Sequence, residues 1–422
     1  MSIKKLVLLT GIGFSSKGNA STNLTVNIGK AYESLGYDTL IIPQNPSYIP
    51  EEKRSGSYDG IKYEYPLQNK NLFSGYRGIK SSLNYRLGIL VNSFVTAKKI
   101  WCDRHIISHI FSQTLRPSNI FIIGLACRIS GVKFIYHIVE EPWTLQQYSD
   151  KGSWKLVLKS FESFLACIFL YSICLRLPNY IACISDELSV LLLKFGFNKD
   201  KLQYLPSVQF NETINNANHI DNQQSISVPE YSVPRIVYSG QISQAKESFI
   251  AVFDALKMIN SSDKKIEFHI YGGGSSESIK SLNRAIKTKG VTDYVIYHGF
   301  VDRQELVEAQ NSAMLCLLLK RDIPFNRYNF PTKLLDYLVA RKAVLLSDLP
   351  LHKRLFTHKV DSIMVDPESA AEIENALLWA INNVGTLNEL GGNAAVKLYE
   401  EFDATKNVKR VLDKFGLSFK GL

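Results

Sequence analysis

Lys333 and Asp336 stand three residues apart in the run Phe330-Pro331-Thr332-Lys333-Leu334-Leu335-Asp336-Tyr337, which brings a cation and a carboxylate together on the first turns of a helix. A lysine there can face a phosphate, and a carboxylate has the two acceptor oxygens needed to grip a pair of sugar hydroxyls. On these two residues alone, an ordinary solvated ion pair remains open. A further lysine, Lys246, follows the loop Ser239-Gly240-Gln241-Ile242-Ser243-Gln244-Ala245, and two other apolar runs end in glycine, at Tyr271-Gly272-Gly273-Gly274 and His298-Gly299-Phe300-Val301. Glycines at strand ends let a backbone approach a ligand, although they are common without one. Near the start, Gly11-Ile12-Gly13 offers N–H groups that could meet a phosphate or a sugar. The run Phe134-Ile135-Tyr136-His137-Ile138-Val139-Glu140-Glu141 ends in a histidine and two carboxylates. Glu140 or Glu141 can orient a hydroxyl or take its proton, and His137 can face a ligand or satisfy backbone carbonyls.

These residues need scaffolds to hold them. Pro331 suits a first helical turn; Leu334, Leu335, Leu338 and Val339 give an apolar face at helical spacing; Ala343–Leu346 is a short buried strand. The opening is β-loop-α-β: a strand over Lys4–Thr10, a loop over Gly11–Asn23, a helix over Leu24–Leu35 and a strand over Thr39–Ile42. The alternation continues with Ile106–Phe111, a helix over Ile120–Ile129, Lys133–Ile138, Tyr180–Ser185 and a helix over Glu187–Phe195. A second series begins at Arg235, with strands expected at Ile236–Ser239, Glu267–Tyr271, Val295–Tyr297, Met314–Leu319, Val344–Ser347 and Ser362–Val365. The expected organisation is therefore a Rossmann-like domain over 1–206, a polar linker over 207–234, a second Rossmann-like domain over 235–393 and terminal helices over 394–422. The default ligand site of such α/β domains lies outside the carboxyl ends of the strands. The first glycine loop fails as a dinucleotide fingerprint, because Ile41-Ile42-Pro43-Gln44 lacks the acidic residue that holds a ribose, and as a P-loop, because Gly18 precedes Asn19.

At 422 residues, with 45% hydrophobic and 21% charged residues, the chain is a globular protein of more than one domain. The short apolar run near the N-terminus is expected to be a first strand and not a signal peptide, which implies a cytoplasmic protein. The six scattered cysteines lack metal spacing and imply buried thiols in a reducing compartment. A formal charge of +10 implies an anionic partner, but no zinc-finger spacing or RNP-type run points to nucleic acid. Between Lys62 and Arg104, eight basic residues face Glu64 and Asp103, with Tyr63, Tyr65, Phe73, Tyr76, Tyr85, Phe94 and Trp101 interleaved. That mixture suits an anionic bilayer surface, or a solvated basic face over a partly buried aromatic one. Trp154–Leu177 has helical apolar spacing, but its uncharged core is too short to span a bilayer, so a buried helix or an interfacial one is expected.

The motif Pro331-Thr332-Lys333-Leu334-x-Asp336-Tyr337, followed by a turn and a buried strand, resembles the signature region of the group 1 family of retaining GT-B glycosyltransferases. The glycine-ended strands and the Gly240–Lys246 loop are similar to that family in order and spacing. The resemblance implies an α/β GT-B fold, two Rossmann-like domains facing each other across a cleft. It also implies transfer of a sugar from a nucleotide-sugar donor to a polysaccharide or lipid-linked oligosaccharide, with retention, without a metal and without a cofactor beyond the donor substrate. It assigns Lys246 and Lys333 to the diphosphate, Asp336 to a ribose, and the backbone of Gly299, Phe300 and Val301 to the base. Gly240, Gly272 and Gly273 line the donor, Gly11 and Gly13 approach the substrate, and His137 lies near the transferred sugar. Four positions depart from the pattern: Gln241 stands for an arginine, Tyr328 for the first of two carboxylates, and Arg341 and Ala343 for glycine and proline. Arg321 or Arg327 could supply the missing charge. A peripheral place on the inner face of the plasma membrane follows from the basic aromatic segment. The alternatives are a degenerate GT-B module that binds nucleotide-sugar or glycan without turnover, and a GT-B epimerase.

Overall fold

A computed structural model describes residues 6–11, 20–44, 54–66, 79–113, 116–140, 165, 167–210, 233–261 and 266–418, with only the backbone of 20 and 79–85. Gly13, Glu141, most of the expected linker and the first part of the Trp154–Leu177 segment lie outside those residues. The chain forms two compact units. The first comprises Met1–Asn211 with Tyr328–Phe330 and Asp403–Leu422, and the second Glu212–Arg327 with Pro331–Phe402.

In the first unit, β1 (Leu6–Gly11), α1 (Ala20–Ser34) and β2 (Asp38–Pro43) open the chain as expected. Then follow β3 (Ser55–Tyr58), β4 (Ile61–Glu64), α2 (Ile79–Asp103), β5 (Ile107–Gln113), α3 (Pro117–Ser130) and β6 (Lys133–Ile138). Beyond these come β7 (Tyr180–Cys183), α4 (Asp186–Lys194) and β8 (Leu202–Tyr204). The strand order is β3-β4-β2-β1-β5-β6-β7-β8, parallel except for the β3–β4 hairpin. That hairpin turns at Asp59 (φ +49°) and Gly60 (φ +87°), the pair of left-handed residues a tight two-residue turn needs. Its register corrects one expectation: Tyr63 and Tyr65 are buried at 5% and 3% exposure, and they belong to the core, not to a membrane-facing surface. Strand alternation turns Tyr63 inward, edge-on to Tyr65 at 6.0 Å.

The second unit contains β9 (Arg235–Ser239), α5 (Phe249–Ile259), β10 (Glu267–Tyr271), α6 (Ser276–Lys289) and β11 (Val295–Gly299). It continues with α7 (Arg303–Ser312), β12 (Leu315–Leu318), α8 (Pro324–Tyr328), α9 (Lys333–Val339), β13 (Val344–Ser347), α10 (Pro350–Leu355) and β14 (Ile363–Val365). The helices α11 (Ala370–Asn382) and α12 (Val384–Glu400) complete it. Its six strands are all parallel, in the order β11-β10-β9-β12-β13-β14, the doubly wound arrangement of a Rossmann-like sheet. The order reverses between β9 and β12, so the crevice beyond their carboxyl ends is where a ligand belongs. Val344–Leu346 are fully buried, as strands covered on both faces must be.

The last helix, α13 (Ala404–Lys414), packs on α1 of the first unit. Val408, Val411, Leu412 and Phe415 form its buried stripe, Phe415 stacks on Tyr180 at 4.1 Å, and the Tyr37 hydroxyl donates to the Leu417 carbonyl at 2.6 Å. Asp403 caps it by accepting from the Lys406 N–H at 2.7 Å.

Candidate functional site

Three neighbouring strand ends of the second unit, those of β9, β10 and β11, meet backbone to backbone beside the switch point. The Gly240 N–H donates to the Tyr271 carbonyl at 3.0 Å, and the Gly272 N–H donates to the Gly299 carbonyl at 2.7 Å. Gly240 has φ +140° and Gly272 φ +122°, where L residues are strained. A Cβ on Gly272 would lie 2.0 Å from the Gly240 oxygen, and one on Gly240 would lie 2.7 Å from Lys333 Cε and Nζ. These glycines let β9 and β10 close up and let Lys333 cross the turn. Gly273 and Gly299 have open space where a Cβ would go. Beside them Phe300 is 89% exposed and Val301 half-buried.

Lys333 begins α9 and turns inward. Its ammonium donates to the Tyr238 hydroxyl at 2.5 Å and lies 3.3 Å from Glu247 Oε1; the Lys320 ammonium reaches the same oxygen at 2.6 Å. Glu247 is 4% exposed, and its Oε2 is buried without a hydrogen-bond partner. Burial alone would raise this carboxyl, but Lys320 and Lys333 outweigh it and hold it below the usual range. Burial pulls Lys333 down to about 7, against the opposing pull of Glu247. Two cations thus share one carboxylate beside the Gly240 turn. Sequence reasoning missed Glu247 and Lys320, which are brought together by topology and not by spacing.

Lys246 lies on the loop after β9, its ammonium 3.6 Å over the Phe325 ring. The Lys246 carbonyl accepts from the Arg321 N–H and from Asn326 Nδ2, which ties this loop to the one after β12. Arg321 pairs with Glu368 at 2.9 Å and Arg327 with Asp322 at 2.6 Å. Gln241 is exposed, and its carbonyl accepts from the Tyr238 hydroxyl. Asp336 is also exposed, so solvent limits the rise that neighbouring protein atoms impose on its carboxyl, and Arg303 opposes that rise. Tyr328, which stands for a carboxylate, is half-buried, and its carbonyl accepts from Ser185 Oγ at 2.6 Å.

In the first unit the equivalent position is the end of β1 and β5. Gly11 closes β1, and Gln113 closes β5. Gln113 was not singled out by sequence; its Oε1 accepts from Thr25 Oγ1 at 2.8 Å and its Nε2 donates to His137 Nδ1 at 3.1 Å. His137 Nε2 lies 2.9 Å from the Leu205 carbonyl, which can only accept, so Nε2 carries the proton. The ring is fully buried and held neutral, with burial lowering it to about 4. Both its nitrogens are engaged within the unit. Glu140 follows β6 and is half-buried.

A doubly wound sheet with glycine-built strand ends and lysines at the switch point is the architecture of a Rossmann-like α/β unit. Residues 233–383 match the family model Glycosyl transferases group 1. Along the whole chain, the fold is that of GT-B glycosyltransferases, with two Rossmann-like domains. HepE of Anabaena, solved with UDP and glucose, is 14% identical, covering 98% of this chain and 99% of its own with a TM-score of 0.65. A glycosyltransferase from Rickettsia africae is 13% identical over 99% of this chain and 100% of its own, with a TM-score of 0.68. Sucrose-phosphate synthase from Thermosynechococcus elongatus is 11% identical over 98% of each chain, with a TM-score of 0.69. At these identities the likeness is one of fold. A stretch of 94 residues, 22% of the chain, is 32% identical to formate–tetrahydrofolate ligase 2 of Lactobacillus acidophilus; it spans 17% of that protein's length, a local likeness only.

Proposed function

We propose that the protein moves a sugar from a nucleoside-diphosphate sugar to a glycan or lipid-linked oligosaccharide, with retention and without a metal. The observation that carries this reading is Lys333 lying against Gly240 beside the β9/β12 switch point, with Lys246 on the loop that follows β9, inside the stretch that matches the family model. HepE, of the same fold, was solved with UDP-glucose, which favours a nucleotide-sugar donor.

Lys246 and Lys333 serve the diphosphate in this reading, and Asp336 grips hydroxyls of the ribose. Lys333 sits near its midpoint at neutral pH; a dianion placed beside it favours the cation and draws its pKa up. Charge that develops on the leaving diphosphate is then met by a cation already in place, which is how preorganised sites lower barriers. The backbone of Gly299, Phe300 and Val301 takes the base, with Gly272 and Gly273 beside the donor. On the acceptor side, Gly11 and Gly13 approach the sugar, and Glu140 or Glu141 orients the attacking hydroxyl. His137, both nitrogens engaged, holds the floor of that site as a neutral ring. The acceptor is presented at an anionic membrane surface, with the protein peripheral on the cytoplasmic face.

The test is nucleotide release from a panel of nucleotide sugars, with and without lipid-linked acceptor. Release only with acceptor supports transfer. Binding without release points instead to a degenerate module, and isomerised donor to an epimerase. Lys246→Ala is expected to weaken donor binding about tenfold or more, the worth of a charge-assisted hydrogen bond; unchanged binding removes Lys246 from the diphosphate site.

A further inference from the structure

Among the described residues, eighteen large apolar side chains are exposed, and twelve of them lie between Leu87 and Phe195 in the first unit. The exposed apolar side chains are thus concentrated in one stretch of the chain, and contiguous patches of such side chains mark interaction surfaces. On α2 the core face is Ile89, Asn92, Ser93, Thr96 and Ile100, while Leu87 (50%), Phe94 (63%) and Trp101 (49%) recur every seventh residue as an outward stripe. On α3, Leu125 (42%) and Ile129 (65%) are exposed one turn apart. The elements are joined: Asn119 Nδ2 of α3 donates to Ser93 Oγ of α2 at 2.7 Å. Phe121 of α3 meets Phe169, in the helical stretch 167–172, at 5.6 Å, and Tyr171 of that stretch stacks on Phe195 after α4 at 4.7 Å.

The charge around this face has one sign. From Arg86 to Lys133 there are seven lysines and arginines, and Asp103 is the single acid. Asp103 is itself paired with Lys99 at 3.2 Å. Arg104 lies over the Trp101 ring at 4.5 Å, an arrangement that places an aromatic body and a cation at one depth. Nucleic acid would use the cations but leave Leu87, Leu125 and Ile129 in water. An anionic bilayer uses both, taking the apolar side chains at headgroup depth and meeting the cations with lipid phosphates. No helix among the described residues is long and apolar enough to cross a membrane, so the contact is one of surface docking.

We propose that the α2–α3 face is the docking surface for an anionic bilayer, with Phe94 and Trp101 as its apolar anchors and the exposed Arg86 and Lys98 as its phosphate contacts. This extends the acceptor side of the function proposed above and moves the docking site off Tyr63 and Tyr65, which are core residues.

The probe is flotation of the full-length protein with vesicles of phosphatidylcholine, alone or with about one quarter phosphatidylglycerol. The expected result is binding to the anionic vesicles only, weakened by salt. Phe94→Glu with Trp101→Glu, and separately Arg86→Glu with Lys98→Glu, should each lower it about tenfold or more. Met258→Glu with Val396→Glu, exposed apolar positions of the second unit, should leave it unchanged. Equal binding to both vesicle types, no binding, or full binding by both α2–α3 variants overturns the proposal. So does a dimer in light scattering that the Phe94/Trp101 variant breaks, because the face then belongs to a second copy. Circular dichroism and urea unfolding of the variants, unchanged from wild type, report that they are folded. A protein that floats but turns over no nucleotide sugar refutes the proposed function and leaves the docking surface standing.

Discussion

Replacing Lys333 by methionine removes one of two ammonium groups that share a single buried carboxylate, and the consequence should depend on pH. The Lys333 side chain is 14% exposed, and its folded-state pKa is about 7 against 10.5 for an ordinary lysine. In the unfolded chain the group keeps its proton up to about pH 10.5, while in the folded protein it loses it above about 7. The unfolded state therefore binds more protons across that window, and wild-type stability rises with pH there, by at most about 1.4 kcal/mol per unit. Integrating from pH 7, where the folded group is half protonated, to pH 9 gives about 2 kcal/mol. Glu247 is held below the carboxylate range and does not titrate in this window, and Tyr238 and Tyr337 are raised above the ordinary tyrosine value by burial. The variant lacks the group, so urea unfolding of both proteins at pH 7 and pH 9 should show wild type gaining about 2 kcal/mol on the variant. A difference that stays constant between the two pH values would refute the burial argument for Lys333. The same experiment with saturating UDP should flatten the dependence if a diphosphate restores the cation.

Two further outcomes follow from backbone geometry. Arg341 has φ +52°, a conformation that costs a non-glycine residue about 1 kcal/mol; Arg341→Gly relieves it, partly offset by the freedom glycine gains on unfolding. The urea midpoint should rise by an amount worth up to about 1 kcal/mol, and a clear fall would show that the arginine side chain matters more than its backbone. Asp403→Ala removes the side-chain cap of α13, the acceptor of the Lys406 N–H, at a position only 3% exposed. It should destabilise the first unit by about 1–2 kcal/mol, measured by the same unfolding, and an unchanged midpoint would show that water replaces the cap.

The fold was legible because both sheets are mostly parallel and buried, so their strands stand out as short apolar runs between helices of clear period. Lys133–Ile138 and Glu267–Tyr271 were expected with the bounds they have. Two features were hidden. α2 runs for 25 residues, yet its outward stripe is as apolar as its core face, which blurs the helical period and draws attention to composition instead. The β3–β4 hairpin carries the Asp-Gly signal of a tight turn, but its strands are only four residues each, too short for alternation to register.

The candidate site divides along a similar line. Residues in the local motif, Lys333 and Asp336, were visible because helix spacing places them; Glu247 and Gln113 were not, because their partners lie 86 and 24 positions away in sequence. The departures from the family pattern are of two physical kinds. At Arg341 the backbone still adopts the left-handed conformation that the usual glycine would supply, while α12 crosses the turn at Gly391, where a Cβ would lie 2.1 Å from the Arg341 oxygen. The turn is therefore kept and the side chain tolerated, a matter of stability. At Gln241 a permanent cation is absent, and neither Arg321 nor Arg327 stands in for it without leaving a carboxylate. What stands beside that turn is the pair Lys320 and Lys333 on Glu247, a cluster with one positive charge in excess when both lysines are protonated. Gln241→Arg should consequently crowd a site already cationic, not simply repair it.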